Sequence, residues 1–139
     1  MDASELETRL TFFEDWTDRY QYIIALGRKL PELDPKYKND DYRVRGCISQ
    51  VWLRSEVVEG PPSTIVFKGD SDSAIVKGLI AILHICLSGR TPREILDEDL
   101  EAFFQRIGLE QHLSPNRRNG FFSMVEELTR CAAVVDATK

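Results

Sequence analysis

One apolar stretch, AIVKGLIAILHICL at residues 74–87, constrains the fold more than any other part of the chain. Its apolar side chains recur at helical spacing, at positions 75, 76, 79, 80, 83, 86 and 87. Because this stripe wraps widely around the helix, we predict a central helix that is mostly buried. Lys77 and His84 interrupt the stretch, which is too short and too polar to cross a membrane.

The segments before this helix predict a small antiparallel sheet. SQVWLRSEVV and STIVFKG are rich in β-branched and aromatic residues, and the turn-forming cluster EGPPS separates them, which predicts a β-hairpin. Residues 42–44 are expected to add a third, short strand, and residues 45–48 to turn the chain between that strand and the hairpin. Cys47 is then expected to project from a loop at the edge of the sheet.

Most of the remaining chain is predicted to be helical. Further helices are expected around residues 5–13 and over residues 15–30, 100–107 and 114–135, and Asp15 is suited to cap the helix over residues 15–30. TPREIL has the pattern of a capping box, in which Thr91 is the cap and Glu94 reaches back to it. The predicted fold class is therefore α+β: a single domain over residues 1–139, with about three strands packed against several helices.

Composition and charge narrow the class of protein. The 139 residues are 42% hydrophobic, which suits one compact core, and the net charge is −5 without a lysine- or arginine-rich run. An acidic chain of this kind is a poor partner for a phosphate backbone, so no nucleic acid is expected. The opening MDASELETRL is acidic and polar, unlike a signal segment. Three cysteines far apart in sequence predict reduced thiols in a cytoplasmic protein, and no membrane partner is expected.

Cys47 carries the strongest chemical signal. Gly46 removes a side chain beside the sulfur and allows unusual backbone angles, and Arg43 and Arg45 lie nearby in sequence. Nearby cations can lower a thiol pKa, and a drop of one unit would bring the thiolate to roughly a quarter at pH 7. The alternative is an ordinary loop cysteine, or one tucked under the hairpin. These residues alone leave both interpretations open.

The other cysteines and the histidines suggest structural roles. Cys86 and Cys131 fall on or beside the inner stripes of helices, where cysteine behaves as a small hydrophobic residue. His84 shares the least apolar side of its helix, and His112 is expected in a loop. No CxxC, CxxH or HxxxH spacing occurs, so no metal site is predicted. A cysteine hydrolase, with one histidine beside Cys47, stays open as an alternative.

A second informative stretch is LSPNRRNG, residues 113–120. Ser114 and Pro115 are suited to be the cap and first residue of the last helix. Arg117 and Arg118 then fall in its first turn, where positive charge opposes the helix dipole. A sequence that breaks a local rule in this way often does so at a functional site. The competing interpretation is a pair of solvated arginines.

Four blocks of the sequence together resemble the SufE family of sulfur-acceptor proteins. YIIALGRKLPELD, VRGCISQVWL, FKGDSDSAIVKGLIAIL and QHLSPNRRNGFFSMVEEL occur in the family's order, and the match runs from about residue 12 to residue 131. The resemblance implies a compact fold similar to iron–sulfur scaffold proteins of the IscU type. It also implies that Cys47 is the acceptor cysteine. Asp70 or Asp72, and Arg117, match family positions near the cysteine loop, and Arg45 and Gly46 adjoin the cysteine as supporting residues.

The function implied by this resemblance is sulfur transfer. The chain would take persulfide sulfur from a pyridoxal-phosphate-dependent cysteine desulfurase of the SufS or CsdA type, stimulate that enzyme, and pass sulfur to an iron–sulfur assembly scaffold. We expect a persulfide carrier without a cofactor of its own, rather than an independent enzyme. The alternative is a scaffold of the IscU type, which would need at least three convergent ligands. Asn116, Arg118 and Ile48 depart from the family pattern, which commonly has a serine, a small residue and a polar residue there.

Overall fold

The computed structural model describes residues 1–47 and 49–138. Within those residues the helices are α1 (Ala3–Phe12), α2 (Trp16–Arg28), α3 (Ala74–Leu87), α4 (Pro92–Asp97), α5 (Leu100–Arg106), α6 (Leu109–His112) and α7 (Pro115–Thr138), and the strands are β1 (Val51–Val58) and β2 (Thr64–Ser71). A single 3₁₀ turn, Pro35–Tyr37, lies between α2 and β1 in the same residues. The predicted α+β class is confirmed.

Helix α3 is the centre of the domain, as its apolar pattern predicts. All seven predicted apolar positions are buried, and α3 packs against α2, β2 and α7. The contact between α2 and α3 is unusually close, because a Cβ atom at Gly78 would lie 2.4 Å from the carbonyl oxygen of Ile23. Glycine at that position therefore lets the two helix backbones meet. None of the helices in the described part of the chain is long and apolar enough to span a membrane.

The sheet is smaller than predicted. Strands β1 and β2 pair antiparallel, from Val51 opposite Ser71 to Val58 opposite Thr64. The expected third strand is a single bridge between Arg43 and Trp52, in which the Val44 nitrogen donates to the Val51 oxygen at 2.8 Å. The ladder cannot continue because the chain turns on both sides of the bridge, with Tyr42 in the turn before it and Gly46 in the turn after it.

Local capping explains where the helices begin. Asp15 caps α2 as predicted, and the capping box at Thr91 and Glu94 is complete. Ser114 accepts a hydrogen bond from the backbone nitrogen of Arg117 at 3.3 Å, which starts α7 at the predicted residue. His112 was expected in a loop but lies at the end of α6, where its ring stacks on the side chain of Trp16.

Candidate functional site

The candidate site is built on the loop that joins the Arg43 bridge to β1. Gly46 adopts a φ of +87°, a conformation that favours glycine. A Cβ atom at this position would also lie 2.7 Å from the side-chain oxygen of Ser123 on α7. Glycine suits this position for its backbone angle, and its lack of a Cβ atom also allows the close approach of the loop to α7.

Cys47 follows directly and rests against the same helix. Its side chain is half-buried, and its thiol donates a hydrogen bond to the carbonyl oxygen of Gly120 at 3.6 Å. A Cβ atom at Gly120 would lie 3.4 Å from the Cys47 sulfur, so the thiol packs against bare helix backbone. The cysteine sits in the predicted loop, but its sulfur is partly covered rather than fully projecting.

This cover opposes the effect that neighbouring arginines can have on the pKa of the thiol. Burial raises the pKa of the Cys47 thiol above its ordinary value, and the positive charge of Arg43 only partly opposes this. The hydrogen bond to Gly120 also requires the proton to be present. In this conformation the neighbouring cations therefore do not lower the pKa of the thiol, because burial outweighs the charge of Arg43.

Two hollows meet at Cys47. The first is a half-open cavity of about 420 Å³, whose buried wall is apolar and is formed by Val76, Leu79, Phe121 and Met124. Its exposed wall carries polar groups, contributed by Ser114, Asn116 and Arg117. The second is a charged hollow of about 390 Å³, to which Asp40, Arg43 and Arg45 contribute. Cys47 thus lies between this cavity, which has room for a further sulfur atom beside the thiol, and a charged surface.

Arg117 is the predicted site residue that the fold brings to the same cavity as Cys47. It lies in the first turn of α7, as its sequence position predicts, and its side chain is exposed. The guanidinium donates to the hydroxyl of Tyr20, on α2. This contact gives Arg117 a hydrogen-bond partner beside the cavity.

Asp72 fastens the cysteine loop. Its carboxylate accepts a hydrogen bond from the backbone nitrogen of Gln50 at 3.0 Å, and its own backbone nitrogen donates to the Gln50 oxygen at 3.3 Å. Gln50 lies three residues after Cys47. Asp72 therefore holds the backbone of the loop at Gln50. This contact is consistent with the supporting role that the family resemblance implies for Asp72.

Asp70 has a different environment. It is buried on β2, with its carboxylate 2.6 Å from the Lys38 ammonium and 3.4 Å from that of Lys77. Burial alone would raise the pKa of this carboxyl, but hydrogen bonds from Lys38 and the Ser71 backbone, with the charge of Lys77, hold it below its usual value. Through Lys38 and Lys77, Asp70 joins the segment before the loop to β2 and α3. It is not among the residues that line the two hollows at Cys47.

The remaining cysteines divide into one core residue and one boundary residue. Cys86 is fully buried on α3 as predicted, and burial raises its pKa to about 12. Cys131 was expected in the core but is half-buried on α7, where its sulfur lies 4.0 Å from the Glu127 carboxylate. The helix turns this position toward the side of α7 rather than onto its inner stripe.

Neither histidine is among the residues that line the two hollows at Cys47. His84 is a half-buried boundary residue, as predicted, and burial together with the charge of Lys68 lowers its pKa. Across residues 1–47 and 49–138, no group of three histidine, cysteine, aspartate or glutamate side chains is placed to hold a metal ion. The three convergent ligands that the scaffold alternative would need are therefore not found among the described residues.

Sequence reasoning missed the contribution of α7 to the cysteine environment. Gly120 carried a usable signal, because a glycine in a helix interior costs roughly 1 kcal/mol relative to alanine and often marks a close approach. Ser123 lies three residues further on, and therefore on the same helix face.

Of the departures from the family pattern, Asn116 lines the first cavity, whereas Ile48 lies outside the described residues.

Comparisons with known proteins agree with this architecture. Residues 4–132 match the SufE family, described as an Fe-S metabolism associated domain. An uncharacterised SufE-like protein of Rhizobium etli is 44% identical over 124 residues, which cover 88% of this chain and 84% of that protein. A second, from Rhizobium meliloti, is 40% identical over 118 residues, which cover 84% of each chain.

A solved structure supports the fold independently. The solution structure of a hypothetical protein from Thermus thermophilus superimposes with a TM-score of 0.76, covering 94% of this chain and 93% of that one. The two sequences are 19% identical, so this likeness bears on the fold alone.

Proposed function

Because this chain belongs to the SufE family, whose domain is associated with Fe–S metabolism, we propose that it is a sulfur carrier with Cys47 as its acceptor. It takes sulfane sulfur from a pyridoxal-phosphate-dependent cysteine desulfurase of the SufS or CsdA type, and stimulates that enzyme. It then delivers the sulfur to an iron–sulfur assembly scaffold. The proposed compartment is the cytoplasm.

One observation supports this assignment above the others. Cys47 lines a cavity of about 420 Å³ with an apolar buried wall, and this cavity is large enough for an additional sulfur atom beside the thiol. A persulfide is easily oxidised and exchanges with stray thiols, so a carrier needs a sheltered position for it. Arg117 beside the cavity supplies positive charge where an anionic persulfide would form.

The transfer itself is a thiol exchange reaction. The Cys47 thiolate attacks the terminal sulfur of the donor persulfide R–S–SH. A new S–S bond forms on Cys47, the S–S bond of the donor breaks, and the donor leaves as the thiolate R–S⁻. The product is Cys47–S–SH, so atoms and electrons balance without an external oxidant. The pyridoxal phosphate chemistry that first creates the persulfide belongs to the donor enzyme.

The proposed function is tested by the turnover of the desulfurase. Without a carrier, the donor persulfide waits for slow reduction by small thiols, so adding this protein should accelerate conversion of cysteine to alanine. The Cys47→Ser variant is the matched control and should give no acceleration. Absence of acceleration by the wild-type protein, with every desulfurase of the same cell, would contradict the proposal.

A further inference from the structure

A further cavity, here called the hairpin cavity, lies between the two strands, the 3₁₀ turn and the C-terminal end of α3. Its volume is about 580 Å³, and none of its lining residues lines either hollow at Cys47. The titratable groups that line it are Asp34, Lys36, Arg54, Glu56, Lys68 and His84. A ligand here would therefore bind apart from the acceptor cysteine.

The strand register places two positive charges side by side in this cavity. Arg54 of β1 is the direct partner of Lys68 of β2, so both side chains project from the same face of the hairpin. Like charges directly opposite each other in a sheet repel and cost stability. Glu56 forms an ion pair with Arg54, whereas Lys68 forms no ion pair within residues 1–47 and 49–138. The charge of Lys68 is thus left uncompensated.

Hydrogen-bonding groups around Lys68 also favour an anionic ligand. The Ser88 hydroxyl accepts from the backbone nitrogen of Phe67 at 3.1 Å, which leaves its own proton to donate. The Asp34 carboxylate already accepts from the backbone nitrogen of Lys36 at 3.1 Å. The Lys36 ammonium lies 5.1 Å from the centre of the Tyr37 ring, on the wall of the same cavity. Donors therefore remain available where both lining carboxylates already have partners.

We propose that the hairpin cavity is a binding site for a phosphate group, with Lys68 and Ser88 as its principal donors. A phosphate dianion offers several acceptor oxygens to such donors, and its charge would offset the repulsion between Arg54 and Lys68. The cavity is larger than a phosphate ion, and Tyr37 and Val66 form part of its wall, so a phosphomonoester has room as well as free phosphate. This site is independent of the proposed sulfur transfer.

His84 supplies a reporter inside the cavity. Burial and the charge of Lys68 lower the pKa of this half-buried imidazole. The other charged groups that face the cavity with it are Arg54 and Glu56 of β1, and Asp34 and Lys36 of the segment before β1. An anion beside Lys68 would favour the imidazolium and raise the pKa of His84. By reciprocity, the anion should bind more weakly as the pH rises through that pKa.

Proton NMR of the imidazole signals tests this without any partner protein. Sulfate is the probe for the pH titration, because it stays dianionic while phosphate itself gains a proton. Sodium chloride at equal ionic strength is the reference. Sulfate should raise the pKa of His84 above its value in chloride. His112, which stacks on Trp16 and does not line the cavity, is the internal control, and its signals should follow the chloride reference.

Substitutions at Lys68 identify the donor. Titration of the His84 signals with inorganic phosphate at constant pH gives the affinity of each variant. Lys68→Ala should weaken phosphate binding on the order of tenfold, because a charge-assisted hydrogen bond is lost. Lys68 is exposed, so this variant should keep its fold. Lys29→Ala removes the same charge from the end of α2, outside the cavity, and should bind phosphate as the wild type does.

Phenyl phosphate distinguishes the two sources of the phosphate group. Tighter binding of phenyl phosphate than of inorganic phosphate would support a site for a phosphomonoester, and equal binding would support a site for free phosphate. His84 signals that respond to sulfate and phosphate only as they do to chloride would overturn the proposal. Equal phosphate affinities in Lys68→Ala and Lys29→Ala would overturn it too. Neither result bears on the desulfurase assay, so this site and the proposed function fail separately.

Discussion

The carboxylate of Asp72 accepts a hydrogen bond from the backbone nitrogen of Gln50, at 3.0 Å. This bond joins the end of the cysteine loop to the segment that leads into α3. At the other side of the loop, Val44 donates to Val51 at 2.8 Å. Together the two bonds close the base of the loop, while Gly46 and Cys47 contact α7 at its tip.

Loss of the Asp72 side chain should loosen this base. We expect Asp72→Ala to lower the free energy of unfolding by about 1 kcal/mol, the usual net value of one hydrogen bond. Asp72→Asn retains an acceptor oxygen and should remain near the wild type. Urea denaturation measures the free energy of unfolding, and hydrogen exchange at the Gln50 amide measures how often the base of the loop opens. Unchanged exchange at Gln50 in Asp72→Ala would show that the bond does not restrain it.

Asp70 should make stability depend on pH in a defined window. The pKa of its carboxyl is lower in the folded protein than in the unfolded chain, where it is about 3.9. The stabilisation that this carboxylate provides is therefore complete above the unfolded pKa and is lost as the pH falls through the folded pKa. Asp70→Asn should cost about 2 kcal/mol near neutral pH, because it weakens charge-assisted hydrogen bonds. This difference from wild type should be constant down to about pH 5 and shrink below about pH 4.

Urea titrations of both proteins at several pH values measure that difference directly. Acidic residues elsewhere titrate in both proteins and cancel in the comparison. A difference that stays the same down to pH 3 would mean that the carboxylate charge of Asp70 does not stabilise the fold.

Arg117 should affect sulfur acceptance more than stability. Arg117→Ala loses the bond to Tyr20 but also removes a positive charge from the first turn of α7, and the two effects oppose each other. We therefore expect a nearly unchanged melting temperature and a slower rate of persulfide formation. Arg118→Ala, which removes a neighbouring charge of the same sign, is the matched control. Equal rates of persulfide formation in Arg117→Ala and wild type would mean that Arg117 is a solvated surface arginine without a role in sulfur acceptance.

Cys86 should matter for packing alone. Its side chain is fully buried on α3, so Cys86→Ala should lower the free energy of unfolding by about 1 kcal/mol or more. The variant should still accept sulfur, since the raised pKa and burial of this thiol make it unreactive in the folded protein. Urea denaturation and intact mass together check both statements. A Cys86→Ala protein that folds but accepts no sulfur would contradict this assignment.

Local sequence signals predicted most of the fold. The apolar pattern of residues 74–87, the cap at Asp15 and the capping box at Thr91 each depend on residues within a few positions, and all three were confirmed. The third strand was not confirmed. Residues 42–44 do pair with β1, but turns on either side restrict the pairing to one bridge. The extent of pairing depends on how the chain leaves the strand, which composition does not report.

The environment of Cys47 was less predictable for a physical reason. Its neighbours in sequence are cations, which favour a thiolate, whereas the group that covers it is Gly120, 73 residues away. Burial raises the pKa of the thiol, and the charge of Arg43 opposes this only in part. The sequence indicated Cys47 and Arg117 as candidate residues, but the cavity that both line depends on how α7 packs against the loop.

Intact-protein mass spectrometry under non-reducing conditions tests the central claim most directly. After one turnover with a cognate desulfurase and cysteine, the protein should gain one sulfur, about 32 mass units, and peptide mapping should place it on Cys47. Cys47→Ser should gain no sulfur and should not stimulate the desulfurase, while keeping its fold. A Cys47→Ser protein that still gains the sulfur, together with a Cys131→Ser protein that does not, would contradict the assignment of Cys47 as the acceptor.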